Sequence, residues 1–335
     1  MFDREVVVVT GASAGVGRAV VRRFAQDNAC IGLLARGRDG LEGARRDVEQ
    51  AGGQAIALPT DVADAEAVER AAEAVEAEFG PIDIWINNAT VSVFSPVHQM
   101  QAAEYRRVTE VTYLGYVHGT LSALRRMRPR NRGRIVQVGS ALCYRGIPLQ
   151  SAYCAAKHAI QGFTESLRCE LIHDSSDVTL STVHLPAVNT PQFDWSRSRM
   201  PRRAQPVPPI FEPEVAARAI HHAAHHYRRE WEVGLITDVV LLGNAIAPGA
   251  GDWYLAKTGY QSQMTAEAED PDRPDNLFQP LAGDRGARGR FGERAASDSP
   301  YWRFTKNRGW MALAGLAAVG VVCAATLRNG ASEKH

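Results

Sequence analysis

The chain has 335 residues, 45% hydrophobic and 22% charged, with 38 Lys+Arg against 37 Asp+Glu and a formal net charge of +1. That balance excludes wholesale disorder, collagen-like and coiled-coil composition, and it lacks the basic excess expected of a nucleic-acid-binding face. The five cysteines (Cys30, Cys143, Cys154, Cys169, Cys323) never fall in C-x-x-C spacing, which argues against a disulfide framework or a zinc knuckle and suits a reducing compartment.

In chain order, the first apolar run, Val6–Thr10, is too short and too close to acidic residues for a secretory signal. A Gly-rich turn and a helix over about 15–28 follow it. Cys30–Leu34 precedes a polar helix at about 38–51. Ala55–Leu58 precedes a helix at 63–79, and Ile82–Ile86 a long helix at 102–127. Then come Arg134–Val138, a helix over Tyr153–His173 and a strand at Thr179–His184, with Val239–Leu242 available as a last strand. Short β-rich runs alternating with helices imply βαβ units, hence an α/β, Rossmann-type doubly wound parallel sheet in a single domain over about 1–262. Residues 263–300, rich in Asp, Arg, Gly and Pro, read as a flexible tether. Trp310–Leu327 is uncharged over a length that, as a helix, spans about 27 Å, near the hydrocarbon core of a bilayer. Tyr301, Trp302 and Trp310 fit an interfacial belt, and Arg303, Lys306 and Arg308 precede the run, so 301–335 is expected to anchor the catalytic domain at the cytoplasmic face of a membrane. The alternatives are an Ala/Gly-rich helix packed on the enzyme, or a tail that recruits partner proteins.

Three groups of residues carry chemistry. Gly11, Ser13, Gly15, Val16 and Gly17 lie between the first strand and first helix, where glycines permit a close turn and the helix N-terminus offers free N–H donors to a pyrophosphate. At the end of the second strand, where NAD-dependent folds usually place an acid, Ala35 is followed by Arg36. A guanidinium there suits the 2′-phosphate of NADP(H), the alternative being a solvated surface arginine. Finally, Tyr153 and Lys157 share a helix face at i, i+4, with Ser140 at a strand end. An ammonium beside a phenol favours phenolate, so Tyr153 can exchange a proton with a reacting oxygen that Ser140 orients.

Together with Asp61-Val62 and Asn87-Asn88-Ala89, these motifs make the chain resemble the short-chain dehydrogenase/reductase superfamily over about residues 5–245. The resemblance implies Tyr153 as acid/base, Lys157 on the nicotinamide ribose, Ser140 on the substrate, and Asp61 and Val62 near adenine. It places Asn88 and Ala89 near the ribose, and implies homodimers or homotetramers packed through the helices around 104–127 and 153–173. Three departures stand out: Thr90 replaces the family's glycine, Thr112 replaces the asparagine of its proton relay, and Pro186–Thr190 is one residue short, with Thr190 still expected on the cofactor.

Thr190–Pro209 falls where the family carries a substrate lid. Phe193 and Trp195 can line an apolar pocket, and Arg197, Arg199, Arg202 and Arg203 can bind an acidic group or lipid headgroups, or simply be solvated. His221-His222 and His225-His226 sit on an expected exposed helix without a nearby acidic partner, so no metal is expected. The resulting expectation is an NADP(H)-dependent oxidoreductase interconverting a carbonyl and an alcohol, on a lipophilic substrate. The alternative is a non-catalytic NADP(H)-binding, redox-sensing module at the membrane.

Overall fold

The computed structural model describes residues 4–308. Its frame is a seven-stranded parallel sheet of β1 (Val6–Thr10), β2 (Cys30–Ala35), β3 (Gln54–Pro59), β4 (Ile84–Asn87), β5 (Arg134–Ser140), β6 (Thr179–Leu185) and β7 (Glu230–Glu232). The order across the sheet is β7-β6-β5-β4-β1-β2-β3. β1 and β2 are buried at every residue, as parallel strands covered on both faces must be. β3, at the edge, is half-exposed.

The helices are α1 (Gly15–Ala25), α2 (Arg38–Gln50), α3 (Ala65–Phe79), α4 (Ala102–Thr109), α5 (Gly115–Met127), α6 (Ser151–His173), α7 (Gln192–Trp195), α8 (Pro213–His225), α9 (Leu235–Ile246) and α10 (Pro248–Thr258). One core joins a sheet face to α1, α2 and α8; the other joins the opposite face to α3, α4, α5 and α6. The long helix expected at 102–127 is interrupted by a π-helical turn at Glu110–Leu114 that links α4 to α5. Because strand order reverses between β1 and β4, a crevice opens beyond their carboxyl ends, and there the site lies.

The structure departs from expectation in two further places. The last strand is Glu230–Glu232, paired with Thr182–His184, while Val239–Leu242 lies inside α9. That apolar run carries on past Leu242 at helical length, and length separates it from a strand. Residues 264–300 pack on the domain instead of hanging as a tether. Met264–Ala268 pairs with Arg202–Ala204, Ala295–Ala296 pairs with Ile210–Phe211, and Leu277, Ala287 and Phe291 are buried. Composition hid this because the segment is held by a few buried apolar residues and many main-chain contacts. The span expected at Trp310–Leu327 lies outside the described residues, among which no helix is long and apolar enough to cross a membrane.

Candidate active site

The glycine loop is closed by contacts at the end of β1. Thr10 Oγ1 accepts from the main-chain N–H groups of Asn88 (2.9 Å) and Ala89 (3.1 Å), and Asn88 Nδ2 donates back to Thr10 O at 2.9 Å. A Cβ on Gly17 would overlap Gly11 O, so the first turn of α1 can lie against the loop only with glycine there. A cavity of about 540 Å³ runs along this crevice. Gly11, Ser13, Gly15, Val16, Arg36, Asp61, Val62, Asn88, Ala89, Ser140, Tyr153, Lys157 and Thr190 all line it, so the expected residues meet in one place, although Gly17 and Thr112 do not line it.

Ser140 ends β5, and its hydroxyl accepts from Leu142 N at 3.2 Å, which fixes it at the mouth of the cleft. Tyr153 stands one turn into α6, four residues before Lys157. Burial pushes the Tyr153 phenol above its ordinary value, with the Ser140 hydroxyl acting in the opposite direction. The expected dominance of the ammonium over the phenol is therefore not what this arrangement produces. Lys157 Nζ lies 5.6 Å above the Tyr153 ring and donates to Val138 O at 2.7 Å and to Tyr116 Oη at 3.2 Å. Burial lowers Lys157 to about 8.

Sequence reading missed Tyr116. Its hydroxyl accepts from Lys157 and donates to Val138 O at 3.0 Å, and its ring faces the ammonium at 4.8 Å. Burial raises its phenol well above the usual range, so it serves as a neutral hydrogen-bonding group. Thr112, the residue expected in the proton relay, is fully buried and used elsewhere. Its hydroxyl donates to Val91 O at 3.0 Å, accepts from Val91 N at 3.1 Å and meets Thr90 Oγ1 at 3.2 Å. The two threonines thus pin the loop after β4, and contact with Lys157 passes to Tyr116. The available signal was a hydroxylated aromatic one turn beyond Thr112.

Behind Ser140 lies a second group the sequence did not announce. Tyr144 Oη meets His184 Nε2 at 3.0 Å and donates to Glu230 Oε2 at 2.7 Å, while Cys143 Sγ accepts from Ser140 N at 3.3 Å. Burial disfavours the charged imidazole, but Cys143 and Glu230 outweigh it and raise His184 to about 9. Burial likewise opposes ionisation of Cys143, and His184 more than offsets that, leaving the thiol lowered.

At the other end of the cleft, Arg36 is not a solvated arginine. It donates to the main-chain oxygens of Asn276, Leu277 (3.3 Å) and Phe278 (3.0 Å). Asp61 pairs with Arg107 at 2.6 Å. Thr190 Oγ1 is buried and has no hydrogen-bond partner among the described residues.

The lid arginines are structural. Glu104, fully buried, takes Arg197 at 3.0 Å and Arg199 at 2.7 Å; Arg203 pairs with Asp194 and Glu267, and Arg202 with Gln261. Glu104 and Glu267 come from distant parts of the chain, and Asp194 from the loop itself, so the loop alone shows only one of these acids. Phe193 and Trp195 do line the cleft. Two of the histidines of α8 have acidic partners after all: His221 meets Asp27 at 2.7 Å and His225 meets Glu5 at 2.8 Å. Both acids lie far away in sequence. No group among the described residues is arranged to hold a metal ion.

Residues 5–200 match the short chain dehydrogenase family, and the chain belongs to it. It is 32% identical over 286 residues to an uncharacterized oxidoreductase, YxnA, of Bacillus subtilis, covering 84% of this chain and 80% of that one. It is 30% identical over 221 residues to a fatty acyl-CoA reductase of Acinetobacter baylyi, covering 65% of this chain and 72% of the relative. Among solved structures, a metagenomic short-chain oxidoreductase in complex with NADP is similar at 26% identity and a TM-score of 0.57, over 68% of this chain and 94% of the other. An alcohol dehydrogenase from Thermococcus sibiricus complexed with 5-hydroxy-NADP shares the fold at 24% identity and a TM-score of 0.59, over 68% of this chain and 95% of the other. The chain is an oxidoreductase of this family.

Proposed function

We propose that the chain is an NADP(H)-dependent oxidoreductase that interconverts a carbonyl and an alcohol, with Tyr153 as acid/base and a lipophilic substrate. The observation that carries this reading is the meeting of Ser140, Tyr153 and Lys157 in the same cleft as the glycine loop. The residues fit a dinucleotide: a glycine cradle no side chain could share, a partnerless buried Thr190 hydroxyl and a lysine directed along the cleft. When bound, the nicotinamide supplies or accepts the hydride.

The rest falls to the chain itself. Ser140 and Tyr153 hydrogen-bond the reacting oxygen, and in the reductive direction Tyr153 Oη gives it a proton. Lys157 uses two of its three N–H donors on Val138 O and Tyr116, which leaves one for the nicotinamide ribose. Thr90 lines the same cleft, and it and Thr112 are bonded to each other and to the Val91 main chain, so these two departures leave Ser140, Tyr153 and Lys157 together in the cleft.

The lipophilic substrate is supported by the mouth of the cleft. Ile236, Val240, Tyr254 and Leu255 line it, and the same two helices, α9 and α10, expose Val239, Leu242, Ile246 and Trp253. An apolar face of this kind usually marks a binding surface. The Acinetobacter relative's name points the same way. Anchoring at the cytoplasmic face of a membrane through Trp310–Leu327 belongs to this proposal. So does a homodimer through α5 and α6, where Leu121 and Ile172 are exposed. The test is NADPH oxidation with straight-chain aldehydes and ketones of two to twelve carbons. A kcat/KM that climbs with chain length supports the reading, and equal activity on the shortest carbonyls would overturn it.

A further inference from the structure

Residues 275–291 line part of the cofactor crevice, and they lie outside the 5–200 stretch shared with the family. Following the chain shows how firmly the segment is held. Asp275 pairs with Arg197 at 2.7 Å. The next three carbonyls are taken by Arg36, and Leu277 O also accepts from Arg107 at 3.1 Å. The Leu277 side chain is fully buried in the cluster that holds Leu34, Val62, Val108 and Val111. Gly283 N donates to Asp39 at 2.7 Å, and Asp284 pairs with Arg18 at 3.0 Å. Gly286 O accepts from Gly15 N at 3.0 Å, and Phe291 N donates to Asn189 Oδ1 at 3.0 Å. The segment thus ties the end of β2, the start of α1 and the loop after β6 into one rim.

This strap also contributes to the cleft surface. Asn276, Pro280, Leu281, Gly283 and Arg285 face the same cavity as the glycine loop. Of the arginines lining that cavity, Arg36 is held by carbonyls and Arg145 by Asp252, whereas Arg285 has no hydrogen-bond or ion-pair partner among the described residues. It is adjacent in sequence to Gly286, which touches the glycine loop at the N-terminus of α1. The Gly15 N–H is already taken by Gly286 O, so the strap adds to the start of α1 an unpartnered guanidinium that faces the cavity, a group suited to a diphosphate.

We propose that the strap is the outer wall of the cofactor site, that Arg285 binds the pyrophosphate of the dinucleotide, and that the strap retards cofactor release. The inference rests on the dinucleotide reading above. It differs from the role expected of Arg36, because a pyrophosphate contact serves NADPH and NADH alike, while a 2′-phosphate contact serves only NADPH.

The experiment uses the full chain and reads cofactor binding rather than turnover. NADPH and NADH are titrated by nucleotide fluorescence, and release is followed in stopped flow, for the wild type, Arg285→Ala and Gly43→Ala. Arg285 is exposed, so its removal leaves the fold intact; a Cβ at Gly43 would overlap the Asp284 carboxylate and push the strap from its Arg18 anchor. The expected results are a loss of about tenfold in affinity for both nucleotides in Arg285→Ala, the scale of one charge-assisted contact, and release several-fold faster in Gly43→Ala. Unchanged binding and release, or a loss confined to NADPH, would overturn the inference. A wild-type chain that binds neither nucleotide would instead overturn the function on which it rests.

Discussion

The two ends of the cofactor crevice are built in different ways. At the reacting end, the spacing of Tyr153 and Lys157 on one helix puts them together, and Ser140 joins them from the end of the preceding strand. At the other end, Arg36 is completed by carbonyls some 240 positions further on, and Arg107 of α4 pairs with Asp61. Local spacing can be read from a sequence because a helix repeats every 3.6 residues. A wall assembled from main-chain oxygens leaves no such mark, since any residue carries one.

The largest effect expected from disturbing this comparison concerns Glu104. This buried carboxylate holds two of the four lid arginines, Arg197 and Arg199, and Arg197 passes the connection on to Asp275 of the strap. Glu104→Ala would leave two guanidiniums without their buried partner and should destabilise the chain by roughly 3–5 kcal/mol in denaturant titration. A change below about 1 kcal/mol would show that lid and strap are held by other contacts.

A smaller effect is expected at the reacting end. Lys157, lowered to about 8 by burial, is protonated at neutral pH and loses its proton as pH rises past that value. Carbonyl reduction should therefore fall above about pH 8. Tyr116→Phe removes an acceptor from the ammonium, which lowers Lys157 further. The alkaline limb of the kcat/KM profile should move about one pH unit toward acid. A purely structural role for Tyr116 would lower stability and leave that limb in place.

The mildest effect is on stability. His184 is raised to about 9 against burial by Cys143 and Glu230, so its contribution is fully present below about pH 6.5 and is lost as pH rises through 9. Glu230 is held well below its ordinary value: His184, Tyr144 and Arg229 outweigh the opposing effect of burial. Its contribution is therefore lost only in acid. Thermal unfolding of wild type should fall between pH 6.5 and 9, and His184→Gln should flatten that slope. An unchanged slope would remove His184 from the account.

Much of the molecule was legible for the same reason as Tyr153 and Lys157. The valines of β1, the glycine loop and the alternation of strands with helices follow from burial on both faces of a parallel sheet. The illegible parts depend on contacts between distant residues. The sequence places Thr112 at the relay position but does not show that its hydroxyl is bonded to the Val91 main chain. The lid sequence does not show that Glu104, some 90 residues earlier, lies against Arg197 and Arg199. Residues 275–291 looked like a tether because hydrophobic pattern is a poor guide to a segment held by its backbone. Val239–Leu242 on its own has the pattern of a strand, and only the helical length of its flanks distinguishes it.

The most direct test of the central claim is a single-turnover measurement on Tyr153→Phe, with NADPH binding determined on the same protein. If Tyr153 is the acid/base of a carbonyl–alcohol oxidoreductase, NADPH should bind as it does to the wild type, while hydride transfer to a carbonyl falls by roughly a thousandfold. Hydride transfer within a few-fold of the wild-type rate, with binding intact, would contradict that assignment.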